Sequence, residues 1–184
     1  MNTNTKSLAL TSVLIALGYV FHTVVPPLFF GMKPDLLLVM MFLAIMLSPT
    51  KQNVIIASMA AGVISALTTG MAGGQIANIV EKPITAFIFL ALFLLAKKVK
   101  VNAISAVLLT VVGTIISGTL FLMVAMLVAG LPGTLLSFIG MIVVPTSVVS
   151  GLIMFFIYPI ADRLSKRSNL TATTNSKDFL ETSR

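Results

Sequence analysis

From Val101 to Ala161 the chain contains no Asp, Glu, Lys, Arg or His. A run this long without charge has few ways to fold. In water it would need a core far larger than a small domain supplies. In a bilayer, helices of about 20 apolar residues satisfy every backbone N–H and C=O internally. The whole chain shares this character: 58% of its 184 residues are hydrophobic and 9% charged, with mean hydropathy +1.10, whereas soluble domains carry roughly 25% charged residues. The expected class is an all-α, polytopic membrane protein.

Six spans follow from the apolar blocks and their punctuation. The first covers about Ser7–Val25 and stops at Pro26-Pro27, which cannot continue a helix. No small-residue cleavage site bounds it, so it reads as a retained span and not a removed signal. The second runs from about Pro34 to Ser48. It is short enough to begin inside the bilayer, with Phe29-Phe30-Gly31-Met32 folded beside it. The third is Val54–Thr69. The fourth is placed at Lys82-Pro83 to Ala96, with proline in the first helical turn. The fifth, Ala103–Ala129, is long and calls for tilt. The sixth, Leu135–Ala161, contains Pro145, where a kink is expected. Residues 1–167 thus form one transmembrane domain. The polar tail at 168–184 is expected to be disordered.

An even number of spans puts both termini on one side. Lys6, Lys51, Lys97, Lys98, Lys100, Arg163, Lys166, Arg167, Lys177 and Arg184 then share a face, with Lys33 and Lys82 opposite. Basic residues accumulate in cytoplasmic loops, so both termini are expected in the cytoplasm. The same rule accounts for the net charge of +7 without nucleic acid. The chain lacks cysteine, which rules out disulfides and thiol catalysis.

On the outer face two polar clusters stand apart from the apolar blocks. One is Lys33-Pro34-Asp35. The other is the stretch from Gly74-Gln75 through Asn78 to Glu81-Lys82-Pro83. Charges near the membrane are expensive unless paired or hydrated, which makes them functional candidates. The plainer alternative is two loop ion pairs, Lys33 with Asp35 and Glu81 with Lys82. Together the clusters offer both signs of charge, as a zwitterionic amino acid requires. Glu81 or Asp35 would hold its ammonium, and Lys33 or Lys82 its carboxylate. Gln75 and Asn78, three apart, would present amides from one helical face. A helix beginning at Lys82-Pro83 would add free N–H groups as a carboxylate seat. His22, the one histidine, lies near the outer end of the first span, as an interfacial residue or a pocket wall. Met32, Met71 and Phe30 would cover a flat ring. Ser12 with Ala16, Gly62 with Ala66, and Gly113 with Ser117 are small pairs four apart, as in helix-packing seams.

Other chemistry is missing. The sequence has no GxxxxGK[ST] loop for ATP, no second histidine to complete a metal site and no supported catalytic triad. No cofactor and no enzymatic activity are expected. With the spans placed as above, no ionisable residue falls inside one. That favours a binding subunit that borrows its energy over an ion-coupled pump.

The order of these pieces resembles the TrpP-type tryptophan transport proteins of Gram-positive bacteria. The resemblance runs from about Lys6 to Arg167. It rests on His22 before Pro26-Pro27, Gly31-Met32-Lys33-Pro34-Asp35, Ser65-Ala66-Leu67-Thr68-Thr69, Gly74-Gln75 through Asn78 to Lys82-Pro83, Gly130-Leu131-Pro132-Gly133, and Tyr158-Pro159. Such proteins resemble in turn the six-helix substrate-binding S components of energy-coupling factor transporters. The resemblance implies L-tryptophan uptake across a bacterial cell membrane. It also implies partnership with a transmembrane coupling protein and two ATPase subunits. The alternatives are a stand-alone carrier, or an S component for a vitamin or another aromatic metabolite. The alanine-rich docking face seen in first helices of S components is only partly present, as Ser12 and Ala16. The chain itself contains no tryptophan, which would suit a protein made during tryptophan starvation.

Overall fold

Side-chain caps set most of the helix starts. A computed structural model describes residues 3–26, 34–98, 102–130 and 133–167. Among these the regular structure is helical: α1 (Thr3–Val24), α2 (Leu36–Leu47), α3 (Lys51–Thr68), α4 (Gly74–Lys97), α5 (Ala103–Ala129), a short α6 (Leu135–Phe138), a π turn (Ile139–Val143) and α7 (Val144–Arg167). Asp35 Oδ1 accepts the Leu38 N–H at 2.9 Å, Thr50 Oγ1 accepts from Asn53 at 3.2 Å, and Asn102 Oδ1 accepts from Ser105 at 2.8 Å. Each bond satisfies a helix N–H that has no partner within its own helix.

The core is built around α2. All of its residues from Leu36 to Leu47 are buried, because α1, α3, α4, α5 and α7 all pack against it. A helix hydrophobic on every side has no other stable place. At 12 residues it is roughly 18 Å long, well short of a ~30 Å hydrocarbon layer. One of its ends therefore lies within the bundle. Phe42 of α2 stacks on Phe89 of α4 with ring centroids 3.9 Å apart. Gly113 of α5 makes room for the pair: a methyl there would stand 2.9 Å from carbons of both rings. On α3, Gly62 lets the Asn78 carbonyl approach, with an added methyl only 3.2 Å from it. Gly62 and Gly113 thus serve packing within the chain.

A polar latch closes the other end of α2. Asn53, 1% exposed, receives the Thr11 hydroxyl at 2.5 Å and donates to the Ala44 and Ser48 carbonyls at 3.2 and 2.9 Å. It joins α1, α2 and α3 at one point, and Ser7 bonds Ser48 nearby. Asn53→Ala is expected to lower stability by about 2 kcal/mol, since it removes three hydrogen bonds and leaves the buried Thr11 hydroxyl without its acceptor, while the Ala44 and Ser48 carbonyls keep their backbone donors. Thermal unfolding of the purified variant beside Thr11→Val, which removes one bond, measures the difference. Equal, negligible losses in both would show that the latch is idle.

The outside of the bundle is apolar. Leu67, Leu127 and Leu136 are about four-fifths exposed, and Val63, Ile84, Leu108, Val112, Val148, Leu152 and Phe156 also face outward. Water does not tolerate such a belt, and lipid does. Four helical segments are long and apolar enough to cross a membrane: Thr5–Val24, Gly74–Lys97, Ala103–Ala129 and Leu135–Leu164. The shorter apolar α2 lies among them. The chain is a multi-pass membrane protein.

Several helix ends shift by a few residues, as where α3 starts at Lys51 and not Val54, and two larger differences from the sequence reading concern prolines. The fourth helix starts at Gly74, not at Lys82-Pro83, and Pro83 lies inside it. Gly73 adopts φ 73°, a left-handed turn open to glycine, and the chain enters the helix directly from it. An internal proline is tolerated in a membrane helix because its neighbours enclose the freed carbonyl. The proposed carboxylate seat at Lys82-Pro83 therefore does not exist. The irregularity foreseen at Pro145 lies in the preceding turn, where the Val144 N–H donates to the Ile139 carbonyl, five residues back. Pro145 has no N–H to give and would collide with the carbonyl four residues earlier. Slipping one residue into a π turn relieves both.

Candidate functional site

The early start of α4 relocates its charged pair. Lys82 follows Gly74 by eight positions, which puts it roughly 12 Å along the helix axis. Glu81 and Lys82 are 0% and 2% exposed. They are not loop residues, and the span interiors do carry ionisable side chains.

Lys82 is the hub. Its Nζ donates to Asp35 Oδ2 at 2.6 Å and to Glu81 Oε1. Asp35 reaches it because α2 is short and its N-terminus lies level with the second and third turns of α4. The second oxygen of each acid is also engaged. Asp35 Oδ1 caps α2, while Glu81 Oε2 accepts the Thr85 hydroxyl at 3.0 Å and the Ser117 hydroxyl at 2.8 Å. His22 of α1 faces the same place, with Nδ1 3.8 Å from Asp35 Oδ1. Two carboxylates share one ammonium here, so the formal charge of the described Asp35–Lys82–Glu81 cluster is −1. Low local polarity strengthens the pairing and penalises any unpaired charge.

The cluster lines a cavity of about 390 Å³ bounded by α1, α2, α3, α4, α5, the π turn and α7. Such a volume is within the range of small-molecule sites. One wall is apolar: Gly118, Phe121 and Leu122 of α5 with Ile142 and Val143 of the π turn. Another is hydroxyl-rich: Ser65, Thr68 and Thr69 from the end of α3, with Met71 at the rim. The arrangement combines a largely buried ionic cluster with an apolar wall. That chemistry suits a small ligand with a cationic head and a hydrophobic body.

Over residues 4–166 the sequence matches the family described as Tryptophan transporter TrpP. The chain belongs to this family. Curated relatives agree with the assignment. A "Probable tryptophan transport protein" of Bacillus subtilis (strain 168) is 44% identical over 90% of this chain and 95% of its own. A protein of the same description from Clostridium acetobutylicum is 34% identical over 86% and 92%, and one from Clostridium perfringens is 30% identical over 91% and 97%. No solved structure matches.

In this TrpP-family chain the residues singled out from sequence fall into three groups. Asp35, Lys82, Glu81, Asn78, His22 and Met71 all line the cavity. Asn78 is buried but donates to the Gly74 carbonyl at 2.9 Å, within its own helix. Gln75 is exposed and is not part of the cavity wall, so the shared amide face does not form. Lys33, Met32 and Phe30 lie outside the described residues. The pairing also differs from two separate loop pairs: Lys82 serves Asp35 and Glu81 together.

Sequence reasoning missed Thr85, Ser117 and Thr114. Thr85 follows Glu81 by four, a signal available once Glu81 is known to be helical. Ser117 was read as a packing residue with Gly113, and nothing local distinguishes it.

Proposed function

We propose that this protein is a membrane substrate-binding subunit for uptake of L-tryptophan, in the bacterial cell membrane with both termini cytoplasmic. The observation that carries the reading is the buried Asp35–Lys82–Glu81 cluster at one end of a cavity with an apolar wall, in a chain whose relatives are described as probable tryptophan transport proteins. Asp35, whose side chain is 22% exposed, meets the substrate ammonium. Lys82 gives two of its N–H groups to the acids, and its third, with His22, serves the substrate carboxylate. Glu81 is engaged through both oxygens by Lys82, Thr85 and Ser117 and holds Lys82 in place. Met71 covers the indole. Lys33, Met32 and Phe30, outside the described residues, keep the roles expected of them from the sequence. Residues 1–167 act as one domain of the S-component type, energised by a separate coupling protein with two ATPase subunits.

The test is thermal stability of the full-length protein against L-tryptophan, other amino acids, indole and vitamins. Ligand bound only by the folded state raises stability by mass action, about 2.7 kcal/mol at a hundredfold excess over Kd. Stabilisation confined to L-tryptophan is the expected result. Stabilisation by a vitamin would replace the substrate, and none by any ligand would remove the binding-subunit reading.

A second reading gains from the same cluster. Acidic groups and a histidine within the spans are what an ion-coupled carrier needs, so the argument from their absence no longer holds. Proteoliposomes containing this chain alone, with an imposed proton gradient, separate the two. Accumulation of tryptophan there would support the stand-alone carrier. No accumulation, with binding intact, would support the partnered subunit.

A further inference from the structure

Among the described residues four buried side-chain polar atoms have no hydrogen-bond partner: His22 Nδ1, Ser65 Oγ, Thr114 Oγ1 and Ser150 Oγ. Three of these residues, His22, Ser65 and Thr114, line the one cavity already described. Buried polar groups are normally satisfied, so such a concentration marks where a ligand's polar atoms belong.

Their positions differ in kind. His22 belongs to the charged end beside Asp35. Ser65 stands on the hydroxyl-rich wall with Thr68 and Thr69. Thr114 alone of the three is on α5, the helix that supplies Gly118, Phe121 and Leu122 to the apolar wall. It is 3% exposed. The neighbouring hydroxyls of α5 are committed: Thr110 donates to the Ala106 carbonyl at 2.8 Å and Ser117 to Glu81 at 2.8 Å. Thr114 does not make the usual bond to the preceding helical turn. Val143 closes over Gly118, where an added methyl would meet it at 2.8 Å, so the wall above Thr114 is tightly packed. Thr114 therefore offers the cavity an uncommitted hydroxyl on the same helix as the apolar wall.

We propose that Thr114 is a specificity-determining residue whose hydroxyl accepts the ring N–H of the aromatic ligand. The assignment rests on the tryptophan reading above and extends it to the chemistry that separates indole from other fused rings. A site built to hydrogen-bond an N–H rejects an analogue lacking it, because its own polar atom is then left unpaired.

The experiment compares L-tryptophan with benzothienyl-L-alanine, in which sulfur replaces the ring N–H. Affinities are measured for wild-type, Thr114→Val, Thr114→Ser and Ser65→Ala protein, all full-length. Wild type should prefer L-tryptophan by roughly tenfold, the worth of one such bond. Thr114→Val, which keeps the shape, should abolish that preference by weakening tryptophan alone. Thr114→Ser should retain it, and Ser65→Ala should leave the ratio unchanged. If Thr114→Val keeps the wild-type ratio, or weakens both ligands equally, the ring N–H is recognised elsewhere and the assignment falls. Failure of L-tryptophan to bind wild type would instead overturn the tryptophan reading, and this assignment with it.

Discussion

Replacing Lys82 by methionine is expected to destabilise the folded protein severely. The side chains are similar in length, so packing along the stem survives and charge is what changes. Asp35 and Glu81 would be left with no cation between them, in a bundle where Glu81 is wholly buried. Breaking a buried ion pair by deleting one partner costs about 3–5 kcal/mol. That is a large part of the 5–15 kcal/mol a domain of this size has to lose. Thermal unfolding and the yield of monodisperse protein would register it. The same reasoning predicts a rescue. Adding Asp35→Asn and Glu81→Gln to Lys82→Met removes every charge, and the triple variant should recover most of the lost stability without recovering ligand binding. A Lys82→Met protein as stable as wild type would show that the acids find other compensation, and the cluster would lose its place as a structural hub.

The cluster also marks how far the sequence could be read. The charge-free runs make the membrane class and most helices legible, since nothing but helices in lipid accommodates 101–161. Asp35, Thr50 and Asn102 are recognisable as caps by residue type and position. Pro83 was not decisive. Proline begins helices and also interrupts them, and choosing the first option moved Glu81 and Lys82 from a span into a loop. That single placement hid the ionisable core, and with it the argument for an ion-coupled alternative. The bond from Lys82 to Asp35 spans 47 positions, and no local periodicity encodes it. It depends on α2 being short, which the sequence did show, and on where α4 lies against it, which only packing decides. Hydroxyls were the least legible. Ser117 and Thr114 share a helix face with packing glycines, and small polar residues there serve either purpose.

Asp35→Asn should separate binding from folding. Asparagine caps helices as well as aspartate does, so the Leu38 N–H keeps an acceptor and α2 keeps its start. Lys82 remains neutralised by Glu81, and the described cluster becomes charge-balanced. Stability should therefore change by no more than about 1 kcal/mol. Binding is different. The surplus negative charge is what a substrate ammonium is matched to, and Asp35 is the acid whose side chain remains partly open. Hydrogen bonds to charged groups contribute about 1.5–3 kcal/mol, so L-tryptophan should bind roughly a hundredfold more weakly. Indole has no ammonium to lose and should change by less than about threefold on the same reasoning. Calorimetry with both ligands on wild type and variant supplies the comparison. Equal losses for indole and tryptophan would assign Asp35 a purely architectural role. In that case the ammonium would have to be held by another acceptor, and Glu81 is wholly buried with both oxygens already engaged by Lys82, Thr85 and Ser117. The head group would then lie outside the ionic end altogether, with the ligand reversed in the cavity.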